Sequence, residues 1–511
     1  MSYGRHAMSA MVITCAAGSA SAQLRIAAWN ITSYSGGREA DIKTAVYSTF
    51  EGRSMSPDIL MVQEVVSELG ASNMLTYLNN APGSPGDWSR FTFKDGPDSD
   101  NAVFFRTSKV RAVVPPVVGD PDGYPDPVFV LAGGNTSGAP RDVYRFDIQL
   151  QDYNAPTTVI SLYSVHMKAG DSSSDRARRL VEATAIRTNI TQLPAGWHAI
   201  IGGDFNIQSS GQAAYQHMVM APAMGRVNDP ISSPGSWNNN GTFRYIHTQD
   251  PIGGGGMDDR HDQILISDGL VDGVGLDYIG AFGTPFSTTT WNDPNHTYRA
   301  WGNDGTSFDM TLRTTGNTMV GPDIAQALMN LAQGGGHLPV YLDARVPAKV
   351  TSETSIDFGD ARTGFGPVVR SLNVSNAGNA SVWTTGGIEN LSYTLGSTPT
   401  EFTVVPGPFI DAAGGSGNAH AISLNTMEAG EFNGTLTITS NDPDQPSRQV
   451  SLTGRVWCAA DFDRSGFVDF EDYDSFVEAF EAGTNDADFD GSGFVDIVDF
   501  SEFVLRFEVG C

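Results

Sequence analysis

The chain is predicted to be an α/β unit followed by an all-β sandwich and a short acidic helical tail. Three observations predict this. Between residues 24 and 345, eight apolar runs recur, with helical phrases between some of them. Past Pro347 the pattern changes to short alternating strands separated by Gly, Asn and Pro. From residue 457 onward one acidic phrase occurs twice, 27 residues apart.

A length of 511 residues is enough for roughly two to four domains with a large core. Residues 1–22 read as an export signal: Arg5 and His6 precede apolar Ala7 to Ala17, and Ala20-Ser21-Ala22 offers a cleavage site before Gln23. That run is too short to span a bilayer, and no later segment reaches the length of a transmembrane helix. Cys15 falls within the signal. Two cysteines remain, Cys458 and Cys511, at the two ends of the last segment, and in an exported protein such a pair forms a disulfide. The formal net charge of −28 is uneven, with −11 on residues 23–347 and −18 on residues 348–511. A broad basic footprint for nucleic acid is missing, so contact with an anionic substrate must be local and metal-assisted.

The strand-like runs of the first unit are Leu24–Trp29, Asp58–Val62, Ala102–Arg106, Tyr144–Leu150, Thr157–Val165, Trp197–Ile201, Gln263–Ile266 and Leu338–Leu342. The clearest helix is Asp175 to Ile190, with Asp175 as cap and Leu180, Ala183, Ile186 and Ile190 as the apolar stripe. Gly/Pro/Asn-rich residues 115–140 and 228–257 read as surface loops around a site. After Trp197–Ile201, Gly202 and Gly203 are expected to turn the backbone sharply and deliver Asp204 and Asn206 to the rim of a sheet. An acid and an amide so placed suit a hard cation, an attacking water or a phosphate oxygen.

Other polar residues stand at the ends of apolar runs. Asn30 follows Ile26–Trp29, Glu64 ends Asp58–Gln63, and His166 follows Val159–Val165. Asp262 precedes Gln263-Ile264-Leu265, and His337 opens His337-Leu338-Pro339-Val340. Together these positions predict one active rim. In this order the set resembles the endonuclease/exonuclease/phosphatase superfamily across nearly all of residues 24–345. The resemblance implies a four-layered α/β sandwich and metal-dependent cleavage of phosphate esters. It implies that Glu64, with Asn30 beside it, ligates Mg²⁺ or Mn²⁺, and that Asp204 and Asn206 hold water and phosphate. His166 would stabilise the phosphate or protonate the leaving oxygen, and His337, oriented by Asp262, would act as base or phosphate clamp. Arg141 and Arg178 are candidate phosphate contacts, beside Asn30. One departure stands out: the family carries Ser-Asp-His where this chain has Gly335-Gly336-His337. A carboxylate from elsewhere, Asp258 or Asp259, would have to substitute, or activity is attenuated.

Residues 348–456 carry the sandwich rhythm at Ile356–Gly359, Ser371–Asn379 and Leu436–Pro443. They resemble the abnormal-spindle/Hydin-type immunoglobulin-like domain, which implies spacer or adhesive duty. Within residues 457–511, Asp461, Asp463, Ser465, Gly466, Asp469 and Asp472 recur as Asp488, Asp490, Ser492, Gly493, Asp496 and Asp499. Offsets of 1, 3, 5, 6, 9 and 12 are those of a Ca²⁺ loop, with the Gly at its sharp turn. The phrases Tyr473–Phe480 and Phe500–Phe507 follow as helices. The pair resembles a type I dockerin, which implies a cohesin-like or cell-envelope anchoring partner, with Cys458–Cys511 clasping the ends.

The expectation is a secreted phosphodiesterase, attached to the cell surface where its tail anchors it, and most simply a nuclease. A sphingomyelinase-like lipid phosphodiesterase is the first alternative. It would use exposed aromatics, for which Trp237, Phe243, Tyr245, Trp291, Tyr298 and Trp301 are the candidates. The second alternative is a surface binding protein whose turnover is attenuated by Gly336.

Overall fold

The computed structural model describes residues 23–220 and 222–510. The segment read as an export signal, residues 1–22, and Cys511 lie outside the described residues. The described residues divide into two compact units, one within residues 23–345 and including 382–387, the other residues 346–381 with 388–510.

The first unit holds two seven-stranded sheets. In one, the path runs Asp277–Tyr278, Val340–Arg345, Leu24–Tyr34, Ile59–Val65, Asp100–Arg106, Trp88–Arg90. In the other it runs Val227–Asn228, Asp262–Ser267, His198–Asp204, Val159–His166, Val143–Leu150, Val110–Ala112. Each sheet has one parallel pair at its centre, Leu24–Tyr34 with Ile59–Val65 and Val159–His166 with His198–Asp204. The sheets pack face to face through an apolar seam of Ile26, Ile160, Ile200, Ile266 and Leu342. Strands buried on both sides explain why these runs are continuously apolar rather than alternating.

Gly202 and Gly203 do not turn the chain. The His198–Asp204 strand runs through both, with Gly202 paired to Ser164 and Ile264. Their smallness serves packing. A Cβ on Gly202 would lie 2.3 Å from Met61 Cε of the facing sheet, and one on Gly203, at φ +138°, would lie 2.1 Å from the Val165 carbonyl oxygen. Asp204 reaches the rim because the strand ends there.

The helix spans Ser173–Ile190, and Ser172 caps it, not Asp175. Asp175 is the third helical residue and closes the box by accepting from Ser172 N at 3.1 Å. Its buried face is Arg179, Glu182, Ala183, Ile186 and Arg187, while Leu180 and Ile190 are only half-buried. The segment 228–257 is not a surface loop throughout: Trp237, Ile246 and His247 are buried, and Asp229 forms a buried ion pair with Arg260. Tyr298 and Trp301 are buried as well.

The second unit begins with a four-stranded and a five-stranded sheet enclosing Phe358, Leu372, Val374, Tyr393, Leu436, Ile438 and Leu452. Helices Phe470–Glu481 and Ile497–Val509 follow, capped by Asp469 and Asp496. They meet through Phe476 and Phe503, whose rings stack at 4.0 Å. Among the described residues no helix is long and apolar enough to cross a membrane.

Candidate active site

Strand ends bring the acidic and imidazole groups together. Asp204 ends one strand and pairs in register with His166 on one side and Asp262 on the other. Glu64 arrives from the facing sheet in the left-handed conformation, φ +62°, which breaks the Ile59–Val65 ladder between Gln63 and Val65. Ser33 N holds Glu64 Oε2 at 2.7 Å. Asn30 Nδ2 lies between the two carboxylates, 3.0 Å from Glu64 Oε1 and 3.2 Å from Asp204 Oδ2, while its Oδ1 accepts from Thr32 N. Asn30 therefore meets the carboxylates as a donor, and its oxygen faces away from them.

His166 Nε2 is 3.4 Å from Asp204 Oδ2 and 3.7 Å from Glu64 Oε1. His337 Nε2 is 3.6 Å from the same Asp204 oxygen, and its Nδ1 is 2.7 Å from Asp262 Oδ2. Asp262 is itself held by Thr248, whose Oγ1 donates to Oδ2 at 2.7 Å. Asn206 N donates to Asp204 Oδ1 at 2.9 Å, but Asn206 Nδ2 goes to the Met167 carbonyl. Both Asp204 and Asp262 are essentially inaccessible.

The two imidazoles are electrostatically opposite. Burial disfavours a charged His337, yet Asp262 and Asp204 outweigh it and push the group up to about 10. Burial, with the positive charges of Arg141 and His337, holds His166 well below the usual imidazole value. At neutral pH His337 is an imidazolium and His166 a neutral ring. Burial also raises the Asp204 carboxyl, against the charge of His337 and with that of Asp262.

The missing acid before His337 has a structural reason. Gly336 sits at φ +65°, and a Cβ there would lie 2.0 Å from the Ala332 carbonyl oxygen. No carboxylate fits on this backbone. Asp250 comes closest to filling the role: its N donates to Gly336 O at 3.0 Å, and its side chain interacts with the charge of His337. Of the acids expected to substitute, Asp259 accepts from Asn238 Nδ2 at 2.9 Å and lies 3.8 Å from His261, and Asp258 is pushed up to about 6 by burial and neighbouring acids. Thr248 and Asp250 carried no signal in the sequence, since both lie in an irregular segment.

Arg141 and Arg178 stand beside the rim, not in it. Arg141 Nη1 donates to the His166 carbonyl at 3.0 Å and Nη2 pairs with Asp98 at 2.9 Å. Arg178 donates to the Gly138 and Asn135 carbonyls.

Glu64 and Asp204 fit a hard divalent cation. Two carboxylates from different sheets meet at Asn30 Nδ2, and apart from the Ser33 hydroxyl, 3.4 Å from Glu64 Oε2, their oxygens meet nitrogen donors.

In the tail, carboxylate oxygens of Asp461, Asp463 and Asp472 converge within 4.8 Å, as do those of Asp488, Asp490 and Asp499. Oδ1 of Asp461 and of Asp488 is buried without a hydrogen-bond partner, as an oxygen reserved for a cation would be. Asp469 and Asp496 instead cap helices, and the Ser465 and Ser492 hydroxyls donate to backbone carbonyls. Cys458 is disulfide-bonded, while its expected partner Cys511 lies outside the described residues.

Residues 29–299 match the model of the Endonuclease/Exonuclease/phosphatase family, and the chain belongs to that family. Its members are hydrolases acting on phosphodiester bonds and generally use divalent metals. No curated protein matches the chain. Among solved structures it is similar to D. rerio TDP2 complexed with single strand DNA product, at 13% identity and TM-score 0.36, over 63% of this chain and 99% of that one. It is similar to a family protein from Bacteroides thetaiotaomicron, at 15% identity and TM-score 0.35, over 64% and 96%. A third, from Beutenbergia cavernae, has 12% identity and TM-score 0.32, over 84% and 100%.

Proposed function

We propose that the protein is an exported, Mg²⁺- or Mn²⁺-dependent phosphodiesterase whose substrate is nucleic acid. The observation that supports this most is the convergence of Glu64, Asp204, Asp262, His166 and His337 on one rim. Glu64 and Asp204 would hold the cation, which when bound neutralises phosphate oxygens and makes water a better nucleophile. Asp204, fixed by Asn206 N and Asn30 Nδ2, orients the attacking water and takes its proton. The His337 imidazolium, kept charged by Asp262, binds a non-bridging phosphate oxygen as negative charge builds. Neutral His166, on the other side of Asp204, hydrogen-bonds the phosphate. Because His337 is charged at neutral pH, the clamp reading is favoured over the base reading. Burial of Trp237, Tyr298 and Trp301 removes three of the aromatics that a lipid-surface enzyme would expose.

Residues 348–456 act as an immunoglobulin-like spacer, and residues 457–511 as a dockerin-like module that binds two Ca²⁺ and docks to a cohesin-like or envelope partner. A secreted protein would meet that partner outside the cell.

The test uses the mature chain with Mg²⁺ or Mn²⁺ on single- and double-stranded DNA, RNA, sphingomyelin and bis(p-nitrophenyl) phosphate. Metal-dependent turnover, lost in His337→Ala and Asp204→Asn, is expected. Turnover on none of these substrates, or turnover undiminished by both substitutions, defeats the proposal.

A further inference from the structure

Beside the rim, on the His166 side, lies a cavity of about 460 Å³ lined by Arg141, Lys168 and Arg178, with Asp98 and the backbone near Gly134. Its volume falls within the roughly 300–1,000 Å³ of small-ligand sites. Two features tie it to the rim. Arg141 donates to the His166 carbonyl, and Lys168 is two residues beyond His166 in the chain.

The charge balance inside is positive. Arg141 pairs with Asp98, and Lys168 lies 3.4 Å from Asp175. Arg178 has no carboxylate partner among the described residues; two carbonyls orient it. Glu182 is wholly buried and interacts electrostatically with Arg141 and Arg178, but burial pushes it up to about 8. It is therefore neutral at pH 7 and leaves Arg178 uncancelled, although the protein as a whole carries −28.

We propose that this cavity is a subsite for a second phosphate of the substrate, one nucleotide removed from the scissile bond. It makes a single-stranded polynucleotide the substrate class. The inference rests on the phosphodiesterase reading and narrows it. A phosphocholine headgroup has one phosphate and a quaternary ammonium, which Arg178 repels. A flexible single strand can turn a second phosphate into such a recess.

The experiment measures binding without turnover. Fluorescein-labelled decathymidylate is titrated with the mature chain in EDTA at several salt concentrations, with the oligonucleotide verified intact. Lys168→Glu is expected to weaken binding at least tenfold. Lys168→Gln should lower the slope of log Kd against log salt by about 0.7, the value for one single-strand phosphate contact. Should Lys168→Glu fail to fold, judged by its circular dichroism melt, Lys168→Gln and Arg178→Gln carry the test. Binding within twofold of wild type and an unchanged salt slope in these variants overturn the subsite. Loss of metal-dependent cleavage in the wild type with this binding intact would sink the catalytic reading and leave the subsite standing. Failed binding with bis(p-nitrophenyl) phosphate still cleaved would sink the subsite alone.

Discussion

His337 Nδ1 lies 2.7 Å from Asp262 Oδ2, and this contact keeps a positive charge on a ring buried beside Asp204. The pair is drawn together from strand Asp262–Ser267 of one sheet and from the segment entering strand Val340–Arg345 of the other. It therefore crosses the seam on which the whole site is built.

Asp262→Asn should remove the charge that sustains the imidazolium. The His337 titration, followed by NMR in metal-free protein, should fall from about 10 toward the ordinary histidine value. A raised value stabilises the fold fully below pH 6.5, and that stabilisation is lost as pH rises through 10. The variant should show a flatter stability profile across that window. Turnover should drop about 10²–10³-fold, the cost of removing one oxyanion-stabilising group. A His337 titration unchanged by the substitution would contradict this account.

Gly336→Asp, the replacement that restores the family phrase, should not restore function. The left-handed backbone costs a side chain about 1 kcal/mol, and the contact with the Ala332 carbonyl adds to it. Thermal unfolding should move down by several degrees, at about 2–4 °C per kcal/mol for a domain of this size. Activity should fall with it. Asp250→Asn is the informative companion, since Asp250 is the acid that interacts with His337 from the Gly336 side. It should lower turnover while leaving the melting temperature close to wild type.

Much of the site was legible because its residues obey a simple rule. His166 and Asp204 are the last residues of apolar strands and Asp262 is the first of one. A sharp change from apolar to polar marks such a point in any sequence. The glycines before Asp204 were ambiguous, because a turn and a close approach between sheets demand the same residue. Only the register with Ser164 and the distance to Met61 decide between them. Thr248 and Asp250 were illegible for a different reason. Gln249, between them, forms isolated bridges to Asp259 and His337, and such long-range pairing leaves no periodic trace. Glu182 was hidden by its helix, where a charged residue at a buried position looks like a solvated one.

Glu182 makes stability depend on pH in the opposite sense to an ion-paired acid. Its folded value, about 8, lies above the ordinary glutamate value of 4.5, so the folded state binds the extra proton between them. Stability should fall as pH rises through that window, by up to about 1.4 kcal/mol per unit. Glu182→Gln keeps the neutral shape and should remove this slope. Melting curves at pH 5 and pH 8 check it: the variant should gain over wild type at pH 8 and match it at pH 5. An equal difference at both values would mean that the carboxyl is ionised throughout.

The paired acidic loops predict a tail whose order depends on Ca²⁺. Each loop concentrates three carboxylates, and Asp472 and Asp499 are fully buried at the start of their helices. Without a cation, like charges within 4.8 Å repel one another; with it, both helix starts are fixed. At a Ca²⁺ concentration 100 times its dissociation constant, each site adds about 2.7 kcal/mol. Amide exchange in Phe470–Glu481 and Ile497–Val509 should therefore slow on adding Ca²⁺ and quicken with EDTA. Asp461→Ala should abolish the effect in the first helix more than in the second, and Asp488→Ala the reverse. Helices joined by Phe476 and Phe503 will share part of the loss, so the asymmetry between the variants is the decisive reading. Protection that ignores Ca²⁺ in the wild type would show these loops to be solvated acidic turns.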